Sequence, residues 1–252
     1  VYPMPAPQSD AGGPAGHSYG AVLVPASTQS VSTVRGVLTG IRFTGWLAPP
    51  SEGWIVVIGE PGDGVVADGQ RGIVEVGALL AARVTDAVLA VRVRRDRQLG
   101  LVAWAGGEEV ARYCSDPSVE PGADKEVLSE PVGVEAAEAL AELRGRPEAE
   151  EELTELLGEE LDPDSVSESE RLGQVLRLLD IPGWIVAAGE LPRSMPRGPK
   201  VSELEHLRAG ATGFAGRSRD AVVRPLRRRQ DAPPLIDDPP TGGGIGYEEW
   251  MF

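Results

Sequence analysis

Glu60, Asp63 and Asp68 fall within nine residues of a glycine-rich stretch, and Arg71 follows closely. Clustered carboxylates can hold a hard cation or form an acid/base pair. This spacing lacks the denser alternation of oxygen ligands, and the later Glu, of an EF-hand type calcium loop. Gly59, Gly62, Gly64 and Gly69 match neither Gly-x-Gly-x-x-Gly nor a P-loop. No metal or cofactor is therefore expected. Turn and capping roles account for the three carboxylates, because Pro61-Gly62-Asp63-Gly64 is turn chemistry and Asp68 precedes a helical pattern.

Cys114 is the sole cysteine, so it can form no intramolecular disulfide. As a nucleophile it needs a base, and the histidines are His17 and His206. Cys114 is expected to be a half-buried thiol at a strand end. His206 is expected on a short helix beside Glu203 and Glu205, on a solvated face. Without a Gly-x-Ser-x-Gly stretch, serine-hydrolase chemistry of the nucleophile-elbow type is disfavoured.

Large apolar side chains recur at the end of the sequence, in Tyr247-Glu248-Glu249-Trp250-Met251-Phe252. Such a group on an acidic tail suits docking, either on a partner or back on the protein's own body, where the arginines of residues 217–229 can receive the glutamates.

The 252 residues carry a net charge of -15, very unevenly placed. Residues 116–170 hold 19 acids against 3 bases, whereas residues 193–229 hold 10 bases against 3 acids. The acidic segment can steer a basic protein partner. Nucleic acid is not an expected partner, because the arginines lack interleaved aromatics or a groove-entering motif. No apolar run approaches the roughly 18 residues of a membrane span, so no membrane insertion is expected. Cysteine usage and the absence of a signal-peptide pattern point to the cytoplasm.

The elements that must position these groups centre on Gly53-Trp54-Ile55-Val56-Val57-Ile58-Gly59-Glu60, which recurs as Gly183-Trp184-Ile185-Val186-Ala187-Ala188-Gly189-Glu190 with six of eight positions identical. Both copies read as buried strands, with Trp54 and Trp184 inside. The first is expected to form a hairpin over Trp54–Ala67. Further strands are expected at residues 18–25 and 42–47 and in a meander at 87–93, 99–105 and 108–114, turned by Arg94–Arg97 and Gly106-Gly107. Asp220–Val223 suggests a last strand. Helices are expected from about 32 to 39, after Asp68, over 133–143, after Pro147, after the Ser167-x-x-Glu170 capping box, and after Ser202-x-x-Glu205.

The fold class is therefore α+β, an antiparallel or mixed sheet with packed helices, an acidic helical segment and a smaller C-terminal α/β portion that hints at a diverged internal repeat. The organisation is a disordered N-terminal arm (1–16), a strand-rich core (17–115), the acidic helical segment (116–180), the smaller α/β portion (181–229) and a flexible tail (230–252). The expected function is non-enzymatic protein binding or regulation through the acidic surface or the C-terminal tail. The alternative is an enzyme with a carboxylate/arginine site at the sheet rim, its catalytic residues drawn from Glu60, Asp63, Asp68 and Arg71.

Overall fold

The computed structural model describes residues 16–84, 87–123, 130–159, 167–193 and 195–238. Among them, seven strands form one sheet: β1 Tyr19–Pro25, β2 Gly45–Leu47, β3 Trp54–Gly59, β4 Val88–Arg94, β5 Gln98–Ala105, β6 Glu108–Cys114 and β7 Glu205–Leu207. Their order is β6-β5-β4-β1-β3-β2-β7, and each neighbouring pair is antiparallel. The fold is α+β.

Helices cover both faces. On one lie α1 Thr28–Gly40 and α2 Ile73–Ala81, whose Val34, Leu38, Val76 and Leu80 pack with Val22, Ile55, Val57 and Val102 of the sheet. On the other lie α3 Ala136–Leu143, α4 Glu150–Gly158 and α5 Glu168–Leu178, which bury Leu140, Leu153, Leu157 and Val175 against Leu23, Val56, Leu89 and Leu101. A strand covered on both faces needs no polar side, which explains why β3 reads as an unbroken apolar run. Alternate residues of β3 serve different cores, Trp54, Val56 and Ile58 one and Ile55 and Val57 the other.

The meander over β4, β5 and β6 forms with its Gly106-Gly107 turn, where both glycines have positive φ. Ser27 caps α1, and the Ser167 hydroxyl caps α5 by accepting from the Glu170 N–H. Trp54 and Trp184 are both buried.

Several expectations change. Gly183–Glu190 is a 3-10 helix, not a strand; it packs against α5 and β1 instead of pairing with a strand. The Trp54–Ala67 hairpin does not form. β3 pairs with β1 and β2, and Ala67 bridges to Arg71. Asp68 does not cap α2. The N-cap is Gly72, and the Glu75 side chain reaches back to the Gly72 N–H at 2.8 Å. The helix expected after Ser202 is a single 3-10 turn, Val201–Glu203, after which the chain straightens into β7 and carries His206 on a strand. Asp220–Val223 lies inside a sixth helix, α6 Gly213–Arg227.

Beyond α6, residues 231–236 cross one face of the sheet as a strap. Leu235 is buried against Gly100, where a Cβ would sit 2.5 Å from Leu235 Cδ2. Arg92 Nη1 donates to the Pro233 carbonyl at 3.1 Å. The strap thus fastens the segment after α6 to β4 and β5.

Candidate functional site

At the β2–β7 end of the sheet, the end of β3, the residues entering β2, and β7 meet α6. Gly45 begins β2 with φ +152°, and any Cβ there would lie 2.1 Å from the Ile58 carbonyl oxygen. That close approach brings Thr44 and Glu60 side by side, and the Glu60 N–H donates to the Thr44 carbonyl at 3.1 Å. Pairing of β2 with β7 sets His206 opposite Trp46. Their rings stack at a centroid separation of 4.8 Å.

His206 Nε2 lies 2.9 Å from Glu60 Oε2, with both side chains half-buried. Arg224 Nη2 of α6 approaches Glu60 Oε1 at 3.4 Å. The hydrogen bond from His206 holds the Glu60 carboxyl below its ordinary value against the opposing effect of burial, and the charges of His206, Arg224 and Arg208 act in the same direction as the bond. A histidine with a carboxylate on one ring nitrogen and an indole on one face is oriented as acid/base dyads are.

Thr44 is a hub. Its hydroxyl accepts from the Ala209 N–H at 3.0 Å and from Arg227 Nη1 at 2.8 Å, and it stands 3.4 Å from Asp220 Oδ1. Arg227, only 8% exposed, also donates through Nη1 to the Val66 carbonyl at 3.3 Å, and through Nη2 to the Arg42 carbonyl at 2.6 Å and to Asp68 Oδ1 at 3.0 Å. A pocket of about 180 Å³ lies among these groups, lined by Thr44, Glu60, Asp220, Arg224, Arg227 and Arg228 together with Pro61 and Val65.

Of the four residues named from the sequence, Glu60 lines the pocket and Asp68 is the counter-ion of Arg227. Arg71 turns away and donates to the Asp68 backbone carbonyl. Asp63 is half-buried and, among the described residues, takes part in no hydrogen bond or ion pair. The two carboxylates therefore serve arginines of α6, far along the chain, and not Arg71. Sequence spacing gives no sign that His206, Arg224, Arg227 and Thr44 gather around Glu60 and Asp68; Glu60 and His206 stand 146 residues apart.

α6 also presents an outward face. Phe214, Val222 and Leu226 are 84%, 71% and 61% exposed. At about 100° per residue they fan over about 120° of the exposed side of the helix. Arg217, Arg219, Arg224 and Arg228 are exposed around them. Only Gly216, Asp220 and Arg227 of the helix are buried. Gly216 permits that seating, since a Cβ there would lie 2.2 Å from the Ala211 carbonyl oxygen.

A larger groove, about 990 Å³, runs between α5 and the Gly183–Glu190 helix. Its rim mixes His17, Arg177 and Arg197 with Glu52, Asp180 and Glu190, and among the described residues its one ion pair is the 3.9 Å approach of His17 to Glu190. Cys114 is fully buried, which pushes its thiol up to about 12 and leaves it protonated at neutral pH. Among the described residues, no three His, Cys, Asp or Glu side chains group so as to hold a metal ion, and no helix is long and apolar enough to cross a membrane. Tyr247–Phe252 lie outside the described residues.

Comparison with protein-family models, curated proteins and solved structures finds no match for this chain. Function is therefore inferred from geometry and chemistry.

Proposed function

We propose that this protein is a protein-binding module whose α6 face docks an acidic segment carrying aromatic or other large apolar side chains. The carrying observation is the exposure of Phe214, Val222 and Leu226 on the outward side of a helix whose neighbouring exposed side chains include arginines. Three large apolar side chains exposed on one helix among charged neighbours are chemistry suited to an interaction surface. Arginines beside these side chains favour a carboxylate-bearing partner and penalise a basic one.

The acidic surface of α3 and α4 is a weaker candidate. Glu138, Glu142, Glu151 and Glu152 are exposed there, but the apolar residues of these helices, Leu140, Leu153 and Leu157, are spent on the core. Charge without apolar area steers encounter more than it holds a complex. On this reading a basic partner is secondary, and an acidic one is the ligand of α6.

The chain's own Tyr247-Glu248-Glu249-Trp250-Met251-Phe252 has the chemistry that α6 would accept, and it supplies a probe. A labelled peptide of residues 239–252, titrated with protein ending at Asp238 and followed by fluorescence anisotropy, is expected to bind saturably and to weaken as salt is raised. Phe214→Ser with Leu226→Ser should remove that binding. A peptide that fails to saturate, or binds the double variant equally well, counts against α6 as the docking face.

A further inference from the structure

We infer that the pocket between α6 and the β2–β7 end of the sheet is a binding site for a small oxyanion, a phosphate or carboxylate group. This goes beyond protein docking, because the pocket lies on the inner side of α6 while Phe214, Val222 and Leu226 face outward.

The first ground is charge. Three guanidiniums, of Arg224, Arg227 and Arg228, line the pocket against two carboxylates, of Glu60 and Asp220. Glu60 is already engaged by His206, and Arg208 adds positive charge nearby. The chain as a whole is acidic, but residues 193–229, which supply the pocket's arginines, hold 10 bases against 3 acids. Asp68 neutralises Arg227 at 3.0 Å, which leaves Arg224 and Arg228 as the guanidiniums placed to meet an added anion.

The second ground is donor accounting. Arg227 uses both terminal nitrogens on Thr44, Val66, Arg42 and Asp68, and its Nε is wholly buried, so the accessible donors of the pocket are those of Arg224 and Arg228. Arg224 reaches Glu60 only at 3.4 Å with its side chain half exposed, and Arg228 has no ion pair among the described residues. Donors are therefore in surplus where acceptors are scarce. Guanidinium pairs meet phosphate and carboxylate oxygens in a planar, two-pronged geometry, which suits them to this role better than lysines.

The third ground is size. About 180 Å³ admits inorganic phosphate or a small carboxylate and is well below the several hundred Å³ of pockets that enclose larger ligands. Asp220, buried on one wall, sets a limit on the charge the site can take.

The anion can arrive free in solution or as a side-chain group of a segment docked on α6, and one experiment separates these sources. The full chain is titrated with inorganic phosphate by calorimetry, with acetate in parallel and with chloride at matched ionic strength as the reference. Saturable one-to-one binding of phosphate or acetate is expected, with no counterpart in chloride. Arg224→Gln with Arg228→Gln should weaken it at least tenfold, whereas Arg217→Gln with Arg219→Gln, on the same helix but outside the pocket lining, should leave it within twofold. If neither anion binds above the chloride reference, or if both double variants lose binding equally, the assignment is overturned. With binding established, competition by phosphate against the labelled 239–252 peptide would place the two ligands in one site, and its absence would leave the pocket to a free anion. Loss of peptide binding in the Phe214→Ser, Leu226→Ser variant with phosphate binding kept would separate the two surfaces.

Discussion

Glu120 joins two distant parts of the chain, accepting from Arg92 Nη2 at 2.5 Å through Oε1 and from the Leu235 N–H at 2.9 Å through Oε2. Both charged side chains are almost wholly buried. The Gln98 side chain lies alongside, 3.4 Å from Arg92 Nη2, and donates to the Asp116 carbonyl at 2.7 Å. One carboxylate thus holds the strap that follows α6 onto the sheet.

Removing that carboxylate strands a buried guanidinium. Glu120→Ala is expected to destabilise the protein by about 3–5 kcal/mol. Leu235→Ala, which empties the strap's apolar seat, should cost about 2–5 kcal/mol. Denaturant unfolding measures both, and a loss under about 1 kcal/mol in each would mean that the strap does not contribute to folding.

The Glu60 carboxyl lies below its ordinary value of 4.5 in the folded protein, chiefly through the hydrogen bond from His206. A depressed carboxyl stabilises the fold above its unfolded value and loses that contribution as pH falls through the lower, folded value. Glu60→Gln should therefore be less stable than wild type at pH 6, and the gap should narrow as pH drops below about 4. A gap unchanged between pH 6 and pH 3 in chemical denaturation would mean that the Glu60–His206 pair contributes nothing to stability.

Cys114 is closed to reagents. Burial pushes its thiol up to about 12, and Gln98 Nε2 rests 3.4 Å from Sγ. A disulfide reagent at pH 8 should label none of the folded protein within minutes and one thiol per chain in denaturant. Rapid labelling under native conditions would contradict the packing around the end of β6.

The outward apolar side of α6 is expected to be dispensable for folding. Phe214→Ser and Leu226→Ser remove exposed apolar atoms, so each should change stability by no more than about 0.5 kcal/mol. A loss of several kcal/mol in thermal or denaturant unfolding would show that these side chains pack on the protein itself and are not free to dock.

The β4–β6 meander was legible because its apolar runs and the Gly106-Gly107 turn all point the same way. Ser167 likewise announced α5. The Gly53 and Gly183 octapeptides share six residues, yet one is a central strand and the other a 3-10 helix. Trp184 is buried as its apolar setting requires, but burial does not dictate backbone form: the first copy has β1 and β2 to pair with, and the second has the side of α5. Short apolar runs take their conformation from tertiary partners. α6 was hidden because Gly213, Gly216 and Pro225 are poor helix residues and Val222-Val223 imitates a strand. Three-residue β7 is too short to show any period, and the Ser202-x-x-Glu205 spacing before it imitates a helix start. Of the polar groups of the rim pocket the sequence cluster contains only Glu60, since Asp220, Arg224, Arg227 and Arg228 come from a helix about 160 residues further on and Thr44 from the residues entering β2.

α6 is secured at both ends: Gly216 is pressed on the Ala211 carbonyl and Arg227 is tied to Thr44 and Asp68, while the strap beyond is locked by Glu120. A segment docking on this helix, as proposed, would therefore find it already folded and already aimed. Little ordering entropy is lost on this side of the encounter, so whatever flexibility the association must quench belongs to the incoming segment.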